Sequence, residues 1–553
     1  MFAADFQNSG CPDWATNSFN MKLDQLLWVP LLNACASFAL PEQSSLRSVG
    51  DFQETCTSIA PKLQIANATI YFSQFVAAGT NLSIPDYNVT CGQFSQAIST
   101  DICRIALYVA TSNRSGINME AWLPANWTGR FLSTGNGGIS GCTGYNDMVY
   151  TTRLGFASVG ANNGHNGTSG GAFYNNPEVV ADFAYRSVHT GVVVGKAISK
   201  AFYGKAHKKS YYLGCSTGGR QGFKSAQDFP EDFDGIVAGA PAFAFNNLTS
   251  WSGHFYILEG NPTSPTFVPT NMWPIIHQDI LKQCDAIDGY IDGIIEDPLL
   301  CNYDSKGLIC GGNLTTNCLT PVQSQTVQKI FSPLYAADGS LVYPRMQPGS
   351  EISAAYISYT GAPFPYMADW YRYAIYNDPS WDPATLNTTD YANAARINPS
   401  NIETWKGDLS AVHNRGAKIL HYHGQMDAII TSDNSPRYYE HVSKTMRLKP
   451  TQLDSFYRFF RISGMDHCYG GDGASVIGQS LNSVASLDPS QNVLMAIVNW
   501  VENGKAPETI IGTRFVNDTQ SLGVQYQRAH CKYPKRNVYK GGDAKKLNSW
   551  ECV

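Results

Sequence analysis

The sequence predicts an α/β architecture: a mainly parallel sheet covered on both faces by helices and interrupted by one long insertion. Three observations carry this. Short β-branched and aromatic runs alternate with helical periodicity between about residues 130 and 240, the pattern of crossover units feeding a parallel sheet. The alternation stops from about 245 to 400 and resumes in the last third of the chain. The run Lys209–Leu213 breaks into Gly214-Cys215-Ser216-Thr217-Gly218-Gly219 and then into a helical stretch ending at Asp228.

Taken in order, Met21-Lys-Leu-Asp-Gln leads into an apolar core from Leu26 and small residues up to Ala39. Residues 21–39 therefore read as a secretory signal peptide, too short and interrupted to span a bilayer. Residues 1–20 are expected to be a non-native upstream extension. From about 50 to 125 the chain is rich in cysteines and sequons and reads as a covering N-terminal segment. Phe131–Thr134, Phe156–Val159, Lys209–Leu213 and Asp234–Gly239 are predicted strands, and Asp182–Phe202 has helical periodicity. The stretch 246–399, with prolines at 262, 265, 269, 274 and 298, four cysteines and clustered aromatics, is irregular and is assigned to a lid domain. Strands at Lys418–His423 and Phe456–Ile462 and a helix near Asn492–Asn503 complete a catalytic domain formed by 40–245 and 400–553.

The formal net charge of −5 over 553 residues supplies no basic field for nucleic acid. Aromatic residues make up 12%, which suits handling of rings or sugars and equally a large core. Export has two further marks. Asn-x-Ser/Thr sequons stand at Asn67, Asn81, Asn88, Asn113, Asn126, Asn166, Asn247, Asn313, Asn387 and Asn517. Of 14 cysteines, Cys11 and Cys35 precede the mature chain, and the even remainder points to disulfides. No Cys-x-x-Cys pair or zinc-type spacing is present.

Gly214-x-Ser216-x-Gly218, after a strand and before a helix, is the pattern of a serine-hydrolase nucleophile elbow and specifies the α/β-hydrolase form of the fold. The serine needs a base and a carboxylate to orient that base, in the order Ser, acid, His, each on a loop after a strand. Asp427 follows the strand 418–423, and His467 follows the strand 456–462 through Ser463-Gly-Met-Asp. Asp433 and Asp466 are alternative acids. His421 and His423 lie inside a strand, where a packed or hydrogen-bonded role is expected. For the oxyanion the donors are the N–H of Thr217 and one from Gly135-Asn-Gly137-Gly138, with Gly137 and Gly138 both candidates and a plain turn the alternative. If these loops meet, Cys215 and Cys468, which flank nucleophile and base, converge and can bond.

These residues resemble the paired Cys-Ser, Asp, His-Cys motif of the fungal tannase and feruloyl esterase B family, through Gly214–Gly222, Asp427 and His467-Cys468. The likeness runs from about residue 55 to the C-terminus and includes Ser133–Gly138, Ala181–His189 and Trp500–Pro507. It implies that Ser216, Asp427 and His467 form the triad and that Cys215 bonds Cys468. It further pairs Cys56 with Cys103, Cys91 with Cys142, Cys284 with Cys301, Cys310 with Cys318, and Cys531 with Cys552. Asp285, Asp288 and Asp292, set among glycine turns, suit a hard cation, although the spacing is not that of an EF-hand and Asp-Gly turns are common. The resemblance implies a structural calcium in the lid, held by these side chains and the carbonyls of Tyr290 and Ile294.

The implied activity is secreted hydrolysis of hydroxycinnamate esters on cell-wall sugars or quinate, with Trp251, Phe364, Tyr366 and Trp370 as candidate pocket aromatics. Alternatives are a tannase acting on galloyl esters and an inactive, calcium-stabilised binding protein.

Overall fold

A computed structural model of the chain describes residues 49–84 and 87–553. The upstream extension, the signal peptide, Cys11 and Cys35 fall outside the described residues. Nine strands form the main sheet: β1 (Ala68–Val76), β2 (Ile102–Ala110), β3 (Gly116–Pro124), β4 (Arg130–Thr134), β5 (Phe156–Ala161), β6 (Lys209–Cys215), β7 (Gly235–Gly239), β8 (Lys418–Gly424) and β9 (Tyr457–Ile462). Their order is β1-β2-β3-β5-β4-β6-β7-β8-β9. The strands from β5 to β9 pair in parallel, whereas β1, β2 and β3 pair antiparallel and β3 meets β5 antiparallel. This is the α/β-hydrolase fold expected from the sequence.

Burial on both faces explains why the central strands read as continuous apolar runs. In β6, Tyr211 and Leu213 join Val237, Leu420, Tyr422 and Phe460 beneath α4 (Val493–Asn503). Tyr212 points the other way, joining Phe131, Ile236, Ile419 and Phe459 beneath α1 (Ser187–Tyr203), α2 (Thr217–Asp228) and α3 (Asn434–Met446). Asn492 caps α4 by accepting a hydrogen bond from Met495 N at 2.9 Å. The helical stretch expected from Asp182 is broken at its start by a π turn, Asp182–Arg186, and only then continues as α1.

Two expectations are corrected. The segment 50–125 is not merely a cover: it supplies β1, β2 and β3, and β2 is buried at Ile102–Leu107. Polar residues hid this, because Arg104 and Glu120 stand on neighbouring strands as a bidentate ion pair with both bonds at 2.6 Å. The insertion between β7 and β8 is also more regular than its prolines suggest. It carries helices Phe245–Glu259, Trp273–Cys284, Pro321–Ile330 and Thr388–Ile397. Pro274 and Pro321 sit in first turns, where a missing N–H costs no hydrogen bond. The insertion packs Trp251, Phe255, Trp273, Tyr343 and Trp370 into a core that reaches Ala428 and Ile430, just after β8. The described residues, 49–84 and 87–553, form one compact unit.

Candidate active site

β6 ends at Cys215 and α2 begins at Thr217, so Ser216 alone makes the turn, with φ 66° and ψ −126°. A side chain in that backbone region costs roughly 1–3 kcal/mol and persists only where neighbours impose it. Here Ser216 N donates to Gly239 O at 3.0 Å, and Ser216 O accepts from Arg220 N at 3.0 Å and Ala242 N at 3.2 Å. Gly214 and Gly218 make the turn sterically feasible, since a Cβ on Gly214 would lie 2.9 Å from the Gly218 carbonyl.

The loop after β4 meets this elbow directly. Thr217 Oγ1 donates to Gly138 O at 2.6 Å, and Gln221 on α2 holds Asn136 through both its N–H (3.0 Å) and its Oδ1 (3.0 Å). Among the described residues, no hydrogen bond occupies the N–H groups of Gly137, Gly138 or Thr217. Unpaired amides gathered beside a serine are the requirement for stabilising an oxyanion. Gly138 has φ 54°, and the Tyr366 ring lies over it, 2.7 Å from where a Cβ would stand.

His467 Nδ1 lies 2.7 Å from Asp427 Oδ2. Asp427 is fully buried, and its Oδ1 accepts from Ile429 N (2.9 Å) and Ile430 N (2.8 Å). Burial alone would push this carboxyl up, but the charge of His467 and hydrogen bonds from His423 and His467 hold it below the usual carboxylate range. Burial likewise works against His467 protonation, yet the Asp427 charge and hydrogen bond win and raise the imidazole above its ordinary value. Nδ1 donates to the carboxylate, which leaves Nε2 as the basic nitrogen.

The alternative acids are engaged elsewhere. Asp433 faces Arg345 at 3.3 Å, and Asp466 accepts from His467 N (2.6 Å) and Ser353 Oγ (2.5 Å) rather than from the imidazole. The Cys215–Cys468 bond, with Cα atoms 5.9 Å apart, ties the residue before Ser216 to the residue after His467. Among the described residues no hydrogen bond of 3.5 Å or less joins Ser216 Oγ to His467; in resting hydrolases this contact often tightens only with substrate. The other five cysteine pairs are formed as the family likeness implied.

Of the four pocket aromatics, Phe364 and Tyr366 are half-buried neighbours, with ring centroids 5.3 Å apart. Trp251 and Trp370 are buried in the insertion core, where Trp251 packs on Phe255 and Tyr343 and Trp370 Nε1 donates to Asn246 Oδ1 at 3.0 Å. Two supporting residues, Gln347 of the insertion and Arg220 of α2, are absent from the sequence reading. Gln347 Nε2 donates to Asp427 O at 2.6 Å while its Oε1 accepts from Ser432 N at 3.1 Å, so the insertion grips the loop that carries Asp427. Arg220, inside the nucleophile motif, is buried and donates to Ala184 O (2.7 Å) and Phe183 O (3.0 Å), binding α2 to the π turn.

In the acidic loop of the insertion Asp285 and Asp288 are buried, and Asp288 Oδ2 has no hydrogen-bond partner. Burial, with help from Glu296 and Asp292, pushes Asp288 up to about 7. Asp292 Oδ2 pairs with Arg528 at 3.0 Å. Among the described residues no three His, Cys, Asp or Glu side chains converge as a metal cage.

The family model described as tannase and feruloyl esterase matches residues 103–553. A probable feruloyl esterase B-2 of Aspergillus oryzae is 56% identical over 527 residues, covering 95% of this chain and all of the relative. The crystal structure of an esterase from Aspergillus oryzae superimposes with a TM-score of 0.89 at 57% identity, covering 91% of this chain and all of that one. That of feruloyl esterase B from the same organism gives 0.89 at 52% identity over the same shares. The chain belongs to the tannase and feruloyl esterase family.

Proposed function

We propose that the protein is a secreted serine carboxylic ester hydrolase that releases hydroxycinnamic acids such as ferulate from cell-wall or quinate esters. The observation that carries this is the His467 Nδ1–Asp427 Oδ2 hydrogen bond of 2.7 Å, clamped by the Cys215–Cys468 bond beside a strained Ser216. His467 Nε2 takes the proton of Ser216 Oγ as the oxygen attacks the ester carbonyl. The oxyanion is met by the N–H of Thr217 and those of Gly137 and Gly138. Collapse expels the alcohol, which receives the proton from His467, and water activated by the same imidazole then frees the acid and Ser216. Tyr366, whose ring lies over Gly138, and its neighbour Phe364 would contact the acyl ring. Six disulfides among the described residues support an exported protein, and no described helix is long and apolar enough to cross a membrane.

The ferulate assignment rests on the feruloyl esterases to which the chain is more than half identical. Its test is kcat/KM on methyl ferulate against methyl gallate. The expected ratio favours ferulate by at least about tenfold, since a site not built for the extra ring hydroxyl leaves it without a partner. A preference for gallate makes the protein a tannase, and no turnover of either, with folded protein, leaves only a binding role.

The acidic loop of the insertion is read as a structural calcium site. Asp285, Asp288 and Asp292 with the carbonyls of Tyr290 and Ile294 would hold the ion, and the unpartnered buried Asp288 oxygen fits a cation. Bound calcium would neutralise the carboxylates and brace the insertion; it takes no part in acyl transfer. Dialysis against EGTA is expected to lower Tm by several degrees, with recovery on adding calcium. An unchanged Tm together with no protein-bound calcium by elemental analysis contradicts the site.

A further inference from the structure

Behind the acid lies an unbroken chain of buried hydrogen-bonding groups. Asp427 Oδ2 receives two imidazoles, His467 Nδ1 at 2.7 Å and His423 Nε2 at 3.0 Å. His423 Nε2 also stands 3.0 Å from Ile430 O. A nitrogen facing only a carboxylate and a carbonyl must carry the proton, because neither oxygen can donate. Beyond it, His423 Nδ1 meets Ser435 Oγ at 2.6 Å, Ser435 Oγ meets His421 Nε2 at 3.0 Å, and His421 Nδ1 meets the Tyr457 hydroxyl at 2.9 Å. Every side chain in the series is fully buried.

The series spans three elements. His421 and His423 share one face of β8, two residues apart, Tyr457 opens β9, and Ser435 lies in the first turn of α3. With both histidines neutral the protons run one way: Tyr457 to His421, His421 to Ser435, Ser435 to His423, and His423 to Asp427. Each bond then polarises the next toward the carboxylate.

We propose that His423, backed by Ser435, His421 and Tyr457, is a positioning residue that fixes the Asp427 carboxylate and limits the basicity it confers on His467. This rests on the reading of Asp427 and His467 as acid and base. Asp427 has four donors: two backbone amides on Oδ1 and two imidazoles on Oδ2. Removing the His423 donor leaves more negative charge facing His467. The imidazolium is then better stabilised, so the pH below which His467 is protonated, and the enzyme idle, rises. The sign is the same whether His423 is neutral or charged. Other titratable groups packed around this series are Asp466 on the base loop, Asp433 with Arg345 at the start of α3, Tyr343, Tyr438, and Tyr439, whose ring lies 5.2 Å from that of Tyr457. None of them is altered by the substitutions below.

The test is the pH dependence of kcat/KM for His423→Leu and Tyr457→Phe, normalised to fluorophosphonate-reactive sites so that only folded enzyme is counted. For His423→Leu the acid limb is expected to move up by about half a pH unit or more, with kcat down by about 10- to 100-fold and KM little changed. That is short of the roughly 10⁴-fold loss expected when the acid itself is removed. Tyr457→Phe removes one hydroxyl at the far end and should move the limb in the same direction by less. His423→Gln, which keeps an N–H donor, should recover part of the loss. Profiles of both variants that superimpose on the parent, or that move to lower pH, overturn the proposal. If His423→Leu does not fold, Tyr457→Phe and Ser435→Ala decide it by the same criterion. Running p-nitrophenyl acetate alongside methyl ferulate keeps the test separate from substrate assignment, since a failed ferulate reading would leave the acetate profiles intact.

Discussion

Ser216→Ala is expected to abolish ester hydrolysis, lowering kcat by on the order of 10⁶-fold while the folded protein remains. The hydroxyl is the only group of Ser216 with a chemical role. Its backbone is held by hydrogen bonds to Gly239, Arg220 and Ala242, none of which involves the side chain. Alanine occupies the same φ of 66° with the same Cβ, so the strain of the elbow neither grows nor vanishes. Unfolding midpoints of parent and variant should therefore agree closely. Residual activity within about tenfold of the parent would place the nucleophile elsewhere.

The second large effect is loss of the Cys215–Cys468 bond. It links residues 253 apart, and in the chain-entropy model removing such a cross-link costs roughly 5 kcal/mol. Stability is only part of the consequence, because the bond joins the immediate neighbours of Ser216 and His467. Cys215→Ala/Cys468→Ala should both unfold at lower denaturant and lose at least about tenfold in kcat under conditions where it is still folded, since small misplacements of reacting groups are costly. The comparison is Cys531→Ala/Cys552→Ala, whose bond spans 21 residues near the C-terminus. That pair should cost about 3 kcal/mol in the same model and leave kcat unchanged. Equal kcat losses from both double variants would show that the first bond is only a general staple.

The three candidate triad residues are legible in the sequence because each sits on a short loop directly after an apolar strand. Ser216 after Lys209–Leu213, Asp427 after Lys418–His423 and His467 after Phe456–Ile462 needed no long-range information. Choosing Asp427 over Asp433 and Asp466 did need it, since only in three dimensions do Arg345 and Ser353 claim the other two. The strands β2 and β3 are hidden in the sequence because Arg104 and Glu120 break their apolar pattern, and the partner that neutralises each lies on the next strand. The burial of Trp251 and Trp370 in the insertion core is not legible in the sequence, because aromatic composition does not say which side chains turn inward. His423 was visible only as a strand histidine; its partners come from Asp427, α3 and, through His421, β9, and no local pattern announces them.

The most direct measurement is covalent labelling by a fluorophosphonate followed by peptide mapping. The predicted result is stoichiometric modification at Ser216 in the parent protein, sharply slowed in His467→Ala and absent in Ser216→Ala. An unlabelled folded parent, or an adduct on a different side chain, would contradict the catalytic account.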